Sequence, residues 1–379
     1  MRSADRAITV QSFASPMDMP AEVEALFAVS DSLFGQRAWW DTVLSAGLSS
    51  ETMPCFLLCR LAGKPVALFP MARNRDGGAL SSLTTPYTCL FSPVLDPGLS
   101  EADRLGVFHA FGRFCRRGPV TRLDALPAEW DALPAMEAGA RKAGLAVCRF
   151  AHFGNWHEDV AGQTWSGYLA QRQGALRETI RRRLRRADRL ADARFTIVVD
   201  REGLESAITA FEAVYARSWK EPEPFPLFNA ALIRATADTG QLRLGLWHIG
   251  AEIAAAQLWV REGCRATVLK LAHDETFKAH SPGTVLTALM LRRLLDQEAV
   301  SEIDFGRGDD PYKQGWARAR RQRIGLMLFN PLRPAGLAGL TRHGLGRLCA
   351  SLRGGSVVAA AAAAADAGEA REARPKDRE

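Results

Sequence analysis

The sequence has little of what marks a secreted, metal-binding or membrane-spanning protein. Its seven cysteines are scattered and include no Cys-x-x-Cys pair and no Cys/His cluster with metal-ligand spacing, so we expect reduced thiols and no metal. No stretch approaches the roughly 20 apolar residues of a transmembrane helix. The opening letters MRSADRAITVQSFASPMD lack the apolar centre of a secretory signal. These absences predict a cytoplasmic protein without a transmembrane segment.

What is present is enough apolar sequence for a large core. The chain has 379 residues, 47% of them hydrophobic, and a formal net charge of +7. This length favours two domains or one large one. The positive charge fits an anionic ligand, such as a phosphate-bearing cofactor or a nucleic acid, and it equally fits an arginine-rich soluble protein. Charge alone does not choose between them.

A similar pattern of elements occurs twice. Residues 55–71, CFLLCRLAGKPVALFPM, are two apolar runs around a turn at Gly63, which predicts a β-hairpin. Residues 242–260 repeat this pattern, and a further strand follows them. Helical spacing of apolar residues precedes each hairpin, as at 204–215. The sequence therefore predicts an α/β (α+β) protein of two related halves that meet near Gly154–Gly167.

The segment between the halves is rich in arginine, with seven between Arg177 and Arg189. One interpretation is a solvated basic helix whose apolar residues pack inward: Leu176, Ile180, Leu184 and Leu190. The other is a cationic face for an anionic substrate, because arginine presents a fixed fork of donors. DNA is not a predicted partner, since neither interleaved aromatics nor a known reading module is present.

The end of the chain changes composition at about Leu332. The basic segment there predicts an amphipathic helix that contacts a membrane surface or a partner, and an alanine-rich stretch predicted to be disordered or a frayed helix follows. The predicted domains are therefore 1–155, a degenerate first half, 156–330, the half with the active site, and 331–379, the tail.

A candidate anion site lies at Ser281-Pro282-Gly283. Ser281 is predicted to cap a long helix, Pro282 to occupy its first turn, and Gly283 to let a ligand approach the backbone. The unpaired N–H groups of a helix start and a nearby lysine, Lys278, would attract a pyrophosphate. The alternative is a plain capped helix.

A second candidate lies at residues 304–316, DFGRGDDPYKQGW, behind one short apolar strand. Two glycines in three residues supply unusual backbone angles, and Asp310-Pro311 punctuates the loop. This arrangement at a strand end is typical of a functional loop.

These stretches together resemble a known family. LKLAHDETFKAHSPGTVL and IDFGRGDDPYKQGW, with SWK at Ser218–Lys220 and GQLRLGLWHIGAEIAAAQLWV, resemble the acetyltransferase domain associated with bacterial exopolysaccharide and cellulose biosynthesis (CelD-like), within the GNAT superfamily. The resemblance covers Tyr168 to Arg318. It implies an acyl-CoA N-acyltransferase-like fold of two tandem GNAT-like halves with central twisted mixed sheets. The single glycine of KAHSPGT departs from the usual twice-glycine phosphate loop.

In such folds the pantetheine arm of acyl-coenzyme A lies where one strand, here 268–272, splays from the next, here 303–305. The resemblance implies that Tyr312 protonates the leaving thiolate and that Lys313 polarises the acyl carbonyl. Asp304 and Asp309 are the candidates to orient the acceptor or take its proton. The other expected site residues are the cofactor-binding Lys270, Lys278, Ser281, Gly283, Thr284 and Arg307, and the substrate-binding Asp274 and Trp219.

The expected function is transfer of an acyl group, acetyl in the first place, from coenzyme A to an amine or hydroxyl of a small-molecule or saccharide acceptor. The related FemAB-type transferases take an aminoacyl group from tRNA, which is the alternative. A non-catalytic scaffold in polysaccharide synthesis is a third interpretation. Trp219 and Trp316 are predicted to be core or cleft-wall aromatics. His273 has no partnered Ser or Cys nucleophile, so covalent catalysis is not predicted.

Overall fold

The computed structural model describes residues 7–75 and 79–352, with the side chains as far as 344. The strands are β1 Ile8–Phe13, β2 Thr52–Leu61, β3 Lys64–Asn74, β4 Leu80–Ser82, β5 Val94–Leu95, β6 Val120–Pro127, β7 Ala146–Asp159, β8 Ala193–Val198, β9 Leu242–Ile249, β10 Glu252–Glu262, β11 Arg265–His273, β12 Glu302–Asp304 and β13 Ala319–Phe329. The α-helices are α1 Glu24–Ala28, α2 Arg37–Ala46, α3 Glu101–Cys115, α4 Leu133–Lys142, α5 Trp165–Ala170, α6 Gly174–Ala187, α7 Leu204–Ala216, α8 Phe228–Asp238, α9 Pro282–Gln297, α10 Pro311–Trp316 and α11 Pro334–Leu352.

The strands form one mixed sheet in the order β1-β2-β3-β4-β6-β13-β7-β12-β11-β10-β9-β8, with β5 beside β3. The last strand, β13, leaves its own half and lies between β6 and β7, antiparallel to both. The long strand β7 continues along the sheet and pairs through residues 157–159 with β12. The two halves are therefore joined by strand exchange at the centre of the sheet.

Both predicted hairpins are confirmed, as β2–β3 and β9–β10, and β11 follows the second. The arginine-rich segment forms α6, whose apolar residues pack inward as predicted. Residues 154–159, which we expected in the junction between halves, continue strand β7. Gly154 pairs there with Gln322 of β13, a partner that is distant in sequence.

The two halves also share a hydrophobic core. Phe228 on α8 contacts two aromatic residues of the first half: its ring lies 5.7 Å from that of Trp39 at an edge-to-face angle and stacks on Tyr87 at 4.0 Å. Such aromatic pairs add to the free energy gained from burial alone. A second core lies between the sheet and α5, α6 and α9. The first half is thus fixed against the second.

The sheet opens between β11 and β12. These parallel strands pair over only three residues, 265–267 with 302–304, and β11 then continues to His273 paired with β10 but not with β12. Gly306 lies where the strands part, at φ +67°, and a Cβ there would be 2.4 Å from the carbonyl oxygen of Val268. Only glycine fits this position. The predicted splay of the two strands is confirmed.

The basic segment of the tail forms α11, as predicted, whereas the alanine-rich end lies outside the described residues. Among the helices described here, none is long and apolar enough to cross a membrane.

Candidate active site

A cleft of about 910 Å³ occupies the opening between β11 and β12. The start of α9 and the loop from Phe305 to Lys313 form two of its walls, and Tyr87 and Cys89 of the first half form part of another. Six cationic side chains line it against one carboxylate, that of Asp310; they are Arg183, Lys220, Lys270, Lys278, Arg307 and Lys313. This excess of positive charge favours an anionic ligand.

The start of α9 is open to the cleft. Pro282 occupies the first turn as predicted, and the first turn carries no acidic residue. Gly283 has room beside it, since a Cβ there would meet only Nδ1 of His273, at 3.5 Å. The prediction that Ser281 caps the helix was wrong. Ser281 has left-handed backbone angles (φ 56°), and its side chain makes no capping hydrogen bond. The helix N–H groups are thus left for another acceptor.

Helix α6 lies beside this helix start. Arg183 donates a hydrogen bond to Thr284 Oγ1 at 2.9 Å, and Arg186 approaches the carbonyl oxygen of Ala279 at 3.5 Å. Other arginines of this segment are exposed: Arg181, Arg182, Arg185 and Arg189. The inward packing of the apolar residues is confirmed. Arg183 also lines the cleft, whereas contact of the arginines with an anionic substrate stays a prediction.

Tyr312 faces the cleft from the first turn of α10. It keeps 38% of its surface exposed because one side opens on the cleft, yet burial of the remainder raises its pKa to about 12. Its hydroxyl lies 2.7 Å from Thr287 Oγ1. Thr287 also accepts a hydrogen bond from Gln257 Nε2 (2.8 Å), and Trp259 Nε1 donates to Gln257 Oε1 (2.9 Å). This chain of buried groups fixes the position of the phenol.

Lys313, the next residue, also lines the cleft and is 8% exposed. Its ammonium group donates to the carbonyl oxygens of Arg307 and Gly308 and pairs with Asp310 at 3.3 Å. Arg307 also lines the cleft, and its guanidinium lies 4.6 Å from the ring centroid of Phe153. The structure therefore brings Tyr312, Lys313 and Arg307 together, as the sequence predicted.

Asp304 does not line the cleft. It is 5% exposed, and its carboxylate accepts hydrogen bonds from Asn155 (2.6 Å), the N–H of Gly306 (2.7 Å) and Arg321 (2.5 Å). Burial would raise its pKa, but Arg321, Arg323 and these hydrogen bonds lower it on balance. Asp304 thus joins β12, β7 and β13 below the cleft.

Asp309 and Asp274 also lie outside the cleft lining. Asp309 forms a two-point ion pair with Arg320, which holds its pKa below the usual range. Asp274 accepts from Arg217 at 2.5 Å and caps the short 3₁₀ helix Glu275–His280 through the N–H of Thr276. Each carboxylate that we expected to act on the acceptor therefore forms an ion pair with an arginine outside the cleft lining.

Lys270 lines the cleft, but its ammonium group pairs with Glu223 and lies 4.5 Å from the ring centroid of Tyr87. Burial would raise the pKa of Glu223, but the hydrogen bond and positive charge of Lys270, with the nearby Tyr215 hydroxyl, outweigh it, so the pKa is lowered. This cluster joins the two halves at one wall of the cleft.

Trp219, His273 and Lys278 form the mouth near the helix start. Trp219 is 52% exposed and lies 4.4 Å from His273, ring to ring, so it is a cleft-wall aromatic. His273 Nε2 pairs with Glu275 at 3.1 Å, and burial lowers the pKa of its imidazole. Lys278 is exposed and contacts the same Glu275 at 3.3 Å. The other predicted aromatic, Trp316, is buried in the second core.

Sequence analysis did not assign several groups of the site, among them Tyr87, Arg183 and Lys220 in the cleft lining and Thr287, the buried partner of Tyr312. Tyr87 comes from the other half, and Thr287 has no pattern that separates it from other helix residues. Lys220 was noted only as the last letter of SWK. In the residues that the structure describes, no group of three or more His, Cys, Asp or Glu side chains could hold a metal ion.

Comparison with known families agrees with this geometry. Residues 174–314 match the model of the acetyltransferase (GNAT) domain. This part of the chain is similar to GNAT acetyltransferase domains. The match includes α6, β9 to β12, the start of α9 and both Tyr312 and Lys313, and thus the second-half walls of the cleft. A search of curated proteins gave no match.

Among solved structures, FemX is similar over 85% of this chain and 98% of its own, at 11% identity and a TM-score of 0.58. The C-terminal domain of an Agrobacterium fabrum protein assigned as a lysylphosphatidylglycerol synthetase has 14% identity, covers 84% and 93%, and has a TM-score of 0.53. A conserved protein from Bacteroides thetaiotaomicron has 12% identity, covers 82% and 98%, and has a TM-score of 0.52. At these identities the likeness concerns the fold. The predicted GNAT-like fold is confirmed.

Proposed function

We propose that this protein transfers an acetyl group from coenzyme A to an amine or hydroxyl of a small-molecule or saccharide acceptor in the cytoplasm, as a step of exopolysaccharide biosynthesis. The observation that carries the proposal is one cleft with three features: a parting of two parallel strands, an open helix start, and the Tyr312 phenol held by Thr287. They would hold the pantetheine arm, bind the pyrophosphate and protonate the leaving thiolate, respectively.

The donor fits this cleft by its charge and shape. The pyrophosphate would accept hydrogen bonds from the N–H groups at the start of α9, beside Gly283 and Thr284. Arg183 and Lys278 lie next to this point and would supplement the single glycine of the loop. The uncharged pantetheine arm would follow the unpaired edge of β11, whose amides can also donate to the oxyanion.

The chemistry then needs few groups. The nucleophile of the acceptor forms a bond to the thioester carbonyl, and the carbonyl oxygen becomes an oxyanion. When the C–S bond breaks, the thiolate takes a proton from Tyr312, which is protonated at neutral pH because its pKa is about 12. Thr287 can then turn its hydroxyl away from the carbonyl oxygen of Gly283 and donate to the phenolate. That carbonyl oxygen still accepts a hydrogen bond from Gln257 Nε2 at 3.3 Å. Lys313 would polarise the acyl carbonyl.

Calorimetric titration with acetyl-coenzyme A, free coenzyme A and a deacylated tRNA tests the donor. Saturable micromolar binding of acetyl-coenzyme A, followed by thiol release with an amine or amino-sugar panel, would support the proposal. If acetyl-coenzyme A and coenzyme A both fail to bind, the proposed donor is wrong.

Aminoacyl transfer from tRNA is the second candidate. It is favoured by the exposed arginines of α6 beside the cleft, which can contact a phosphate backbone. In that case tRNA would bind with an affinity that falls steeply with salt, and activity would require charged tRNA. Binding of acetyl-coenzyme A without thiol release for any acceptor would instead favour a scaffold role.

A further inference from the structure

The cleft needs a group to take the proton of the acceptor, and most candidates are already occupied. Asp304, Asp309 and Asp274 are bound to arginines outside the cleft lining. Within the cleft, Asp310 pairs with Lys313. His273 holds Glu275 through Nε2, and its Nδ1 faces Gly283 at the helix start, where the pyrophosphate is proposed to bind.

The remaining acidic hydrogens of the cleft wall are poorly suited to the task. Burial raises the pKa of the Cys89 thiol to about 11, and burial with the nearby Glu223 raises the pKa of Tyr87 further. Neither group is ionised at neutral pH, so neither can serve there as a base.

Lys220 is different. Its side chain lines the cleft, and among the residues that the structure describes it has no carboxylate within ion-pair distance. Its ammonium nitrogen instead lies 5.6 Å from the ring centroid of Tyr215 and 5.9 Å from that of Trp219. The amine is held among aromatic walls at the surface of the cavity.

We propose that Lys220 is the general base of this cleft, and that its neutral amine accepts the proton released by the attacking amine or hydroxyl of the acceptor. This inference rests on the acyl transfer proposed above. It gives a role to Lys220, which lies within the matched residues but was not among the predicted site residues.

The charges around Lys220 come from three directions. Lys270 on β11 is a like charge, Glu223 lies in the loop after α7, and Asp310 and Lys313 belong to the loop and helix on the far side of the cleft. Desolvation is the largest effect and Lys270 adds to it; together they outweigh the two carboxylates and lower the pKa of Lys220 to about 8. A substantial fraction of the amine is therefore neutral near physiological pH.

The proton balance closes. The acceptor N–H or O–H gives its proton to Lys220 Nζ as the nucleophile bonds to the carbonyl carbon, and the thiolate leaves with the proton of Tyr312. The protein is left with a Lys220 ammonium and a Tyr312 phenolate, and solvent exchange in the open cleft returns both to their starting states. No oxidant, metal or further reactant is required.

The first experiment measures the titration of Lys220 without using activity. Competitive labelling of the full chain with a trace amine-reactive reagent from pH 6 to 11, read by peptide mass spectrometry, gives a midpoint for each lysine. We expect Lys220 to titrate near pH 8, below the ordinary lysine value of about 10.4. Lys64, an exposed lysine paired with Asp96, is labelled in the same experiment as a reference. A Lys220 midpoint at or above about 10.4 would overturn the inference.

The second experiment tests the role in turnover. Lys220→Arg keeps the positive charge but does not accept a proton at these pH values, and Lys220→Ala removes the amine. With acetyl-coenzyme A and the best amine of the panel, we expect both variants to lose about 10²- to 10⁴-fold in kcat/KM. The wild-type rise of kcat/KM through about pH 8 should disappear. Lys64→Arg is the matched control and should behave as wild type.

Chemical rescue separates a base from a structural residue. Added ethylamine or ethanolamine should restore turnover to Lys220→Ala in proportion to the concentration of free base, and not to Lys220→Arg. Full activity of Lys220→Arg, or absence of rescue with an unchanged pH profile, would refute the role of base. If calorimetry shows no binding of acetyl-coenzyme A to the wild type, the proposed function fails instead, and the labelling midpoint still reports on Lys220 alone.

Discussion

The two halves of this protein repeat the same order of elements, and they treat the crossover helix in opposite ways. In the first half, α3 begins at Ser100, whose hydroxyl accepts the N–H of Asp103 at 3.1 Å, and its first turn carries Glu101 and Asp103. In the second half, α9 has no side-chain cap and no acid in its first turn. The start of α3 has a side-chain cap for its N–H groups and acids that repel anions, whereas the N–H groups at the start of α9 have no side-chain cap.

The strand pairs that flank these helices also differ: the gap between the strands is closed in the first half and open in the second. β4 and β6 are parallel over two residue pairs, as β11 and β12 are over three. The gap beyond β4 is closed: Asp124 N–H donates to Ser82 Oγ, and Phe91 N–H donates to the carbonyl of Ala125. The chain at 83–91 that fills this gap carries Tyr87 and Cys89 onward into the other cleft. The first half has become a wall for the second.

The comparison teaches that a shared order of elements does not make a shared site. A site also requires that backbone donors stay unpaired and that a cavity remains beside them. Only the second half meets both conditions within the described residues.

Tyr312→Phe should have the largest effect, because it removes the acid that only the second half contains. We expect turnover to fall by about 10²- to 10⁴-fold while acetyl-coenzyme A binding stays nearly intact. Steady-state kinetics with calorimetry checks this. Tyr168→Phe is the matched control: its hydroxyl donates to the carbonyl of Trp316 in the core, so stability should fall and turnover should not. A fully active Tyr312→Phe would remove the proposed acid.

Gly283→Asp should come next, because it gives α9 the acidic first turn that α3 already has. A carboxylate beside the pyrophosphate should weaken acetyl-coenzyme A binding by about a hundredfold. Gly283→Asn should weaken it at least tenfold less, because it adds similar bulk without charge. Gly174→Asp, at the start of α6 with open space around it, should bind as wild type. Equal affinity for Gly283→Asp and wild type would exclude a pyrophosphate at this helix start.

Asp304→Asn tests the buried hydrogen-bond and ion-pair network by which Asp304 joins β12, β7 and β13. Loss of the charge paired with Arg321 should destabilise the protein by about 3 kcal/mol near pH 7, measured by urea unfolding. Because the folded-state pKa of Asp304 is lowered, its contribution is present above the unfolded pKa of about 4 and is lost as the pH falls below it. The difference between variant and wild type should therefore shrink in acid.

Asp309→Asn is the control for that network, because the Asp309 carboxylate and its partner Arg320 are both partly exposed. Such pairs contribute less than about 1 kcal/mol. If the two variants unfold alike, the buried network does not hold the halves together.

Ser100→Ala should have the smallest effect. Loss of the cap should destabilise the fold by about 1 kcal/mol and leave acetyl-coenzyme A binding unchanged. Ser281→Ala should hardly change stability, because Ser281 makes no cap. Equal losses from both substitutions would contradict the difference between the two helix starts.

Several parts of the site could be predicted from local sequence. The glycines at 306 and 308, the Pro282-Gly283 helix start and the pair Tyr312-Lys313 are close in the chain to the strand ends that position them. The ion pairs of Asp304, Asp309 and Asp274 could not be predicted from local sequence. Which arginine reaches each carboxylate depends on β13 and α7, which are separate in sequence from these acids. The strand exchange of β13 has no local pattern either, because a strand carries no record of its partners.

The sequence by itself determined the two hairpins, the helices and the glycine-bearing loops, because apolar periodicity and backbone preferences act over a few residues. The tertiary structure decided that one strand crosses between halves, that Tyr87 and Arg183 meet the same cleft, and that Lys220 lies there beside the rings of Tyr215 and Trp219. These features arise from contacts between distant segments. Charge and solvation at a site depend on such contacts, whereas the elements that carry its residues do not.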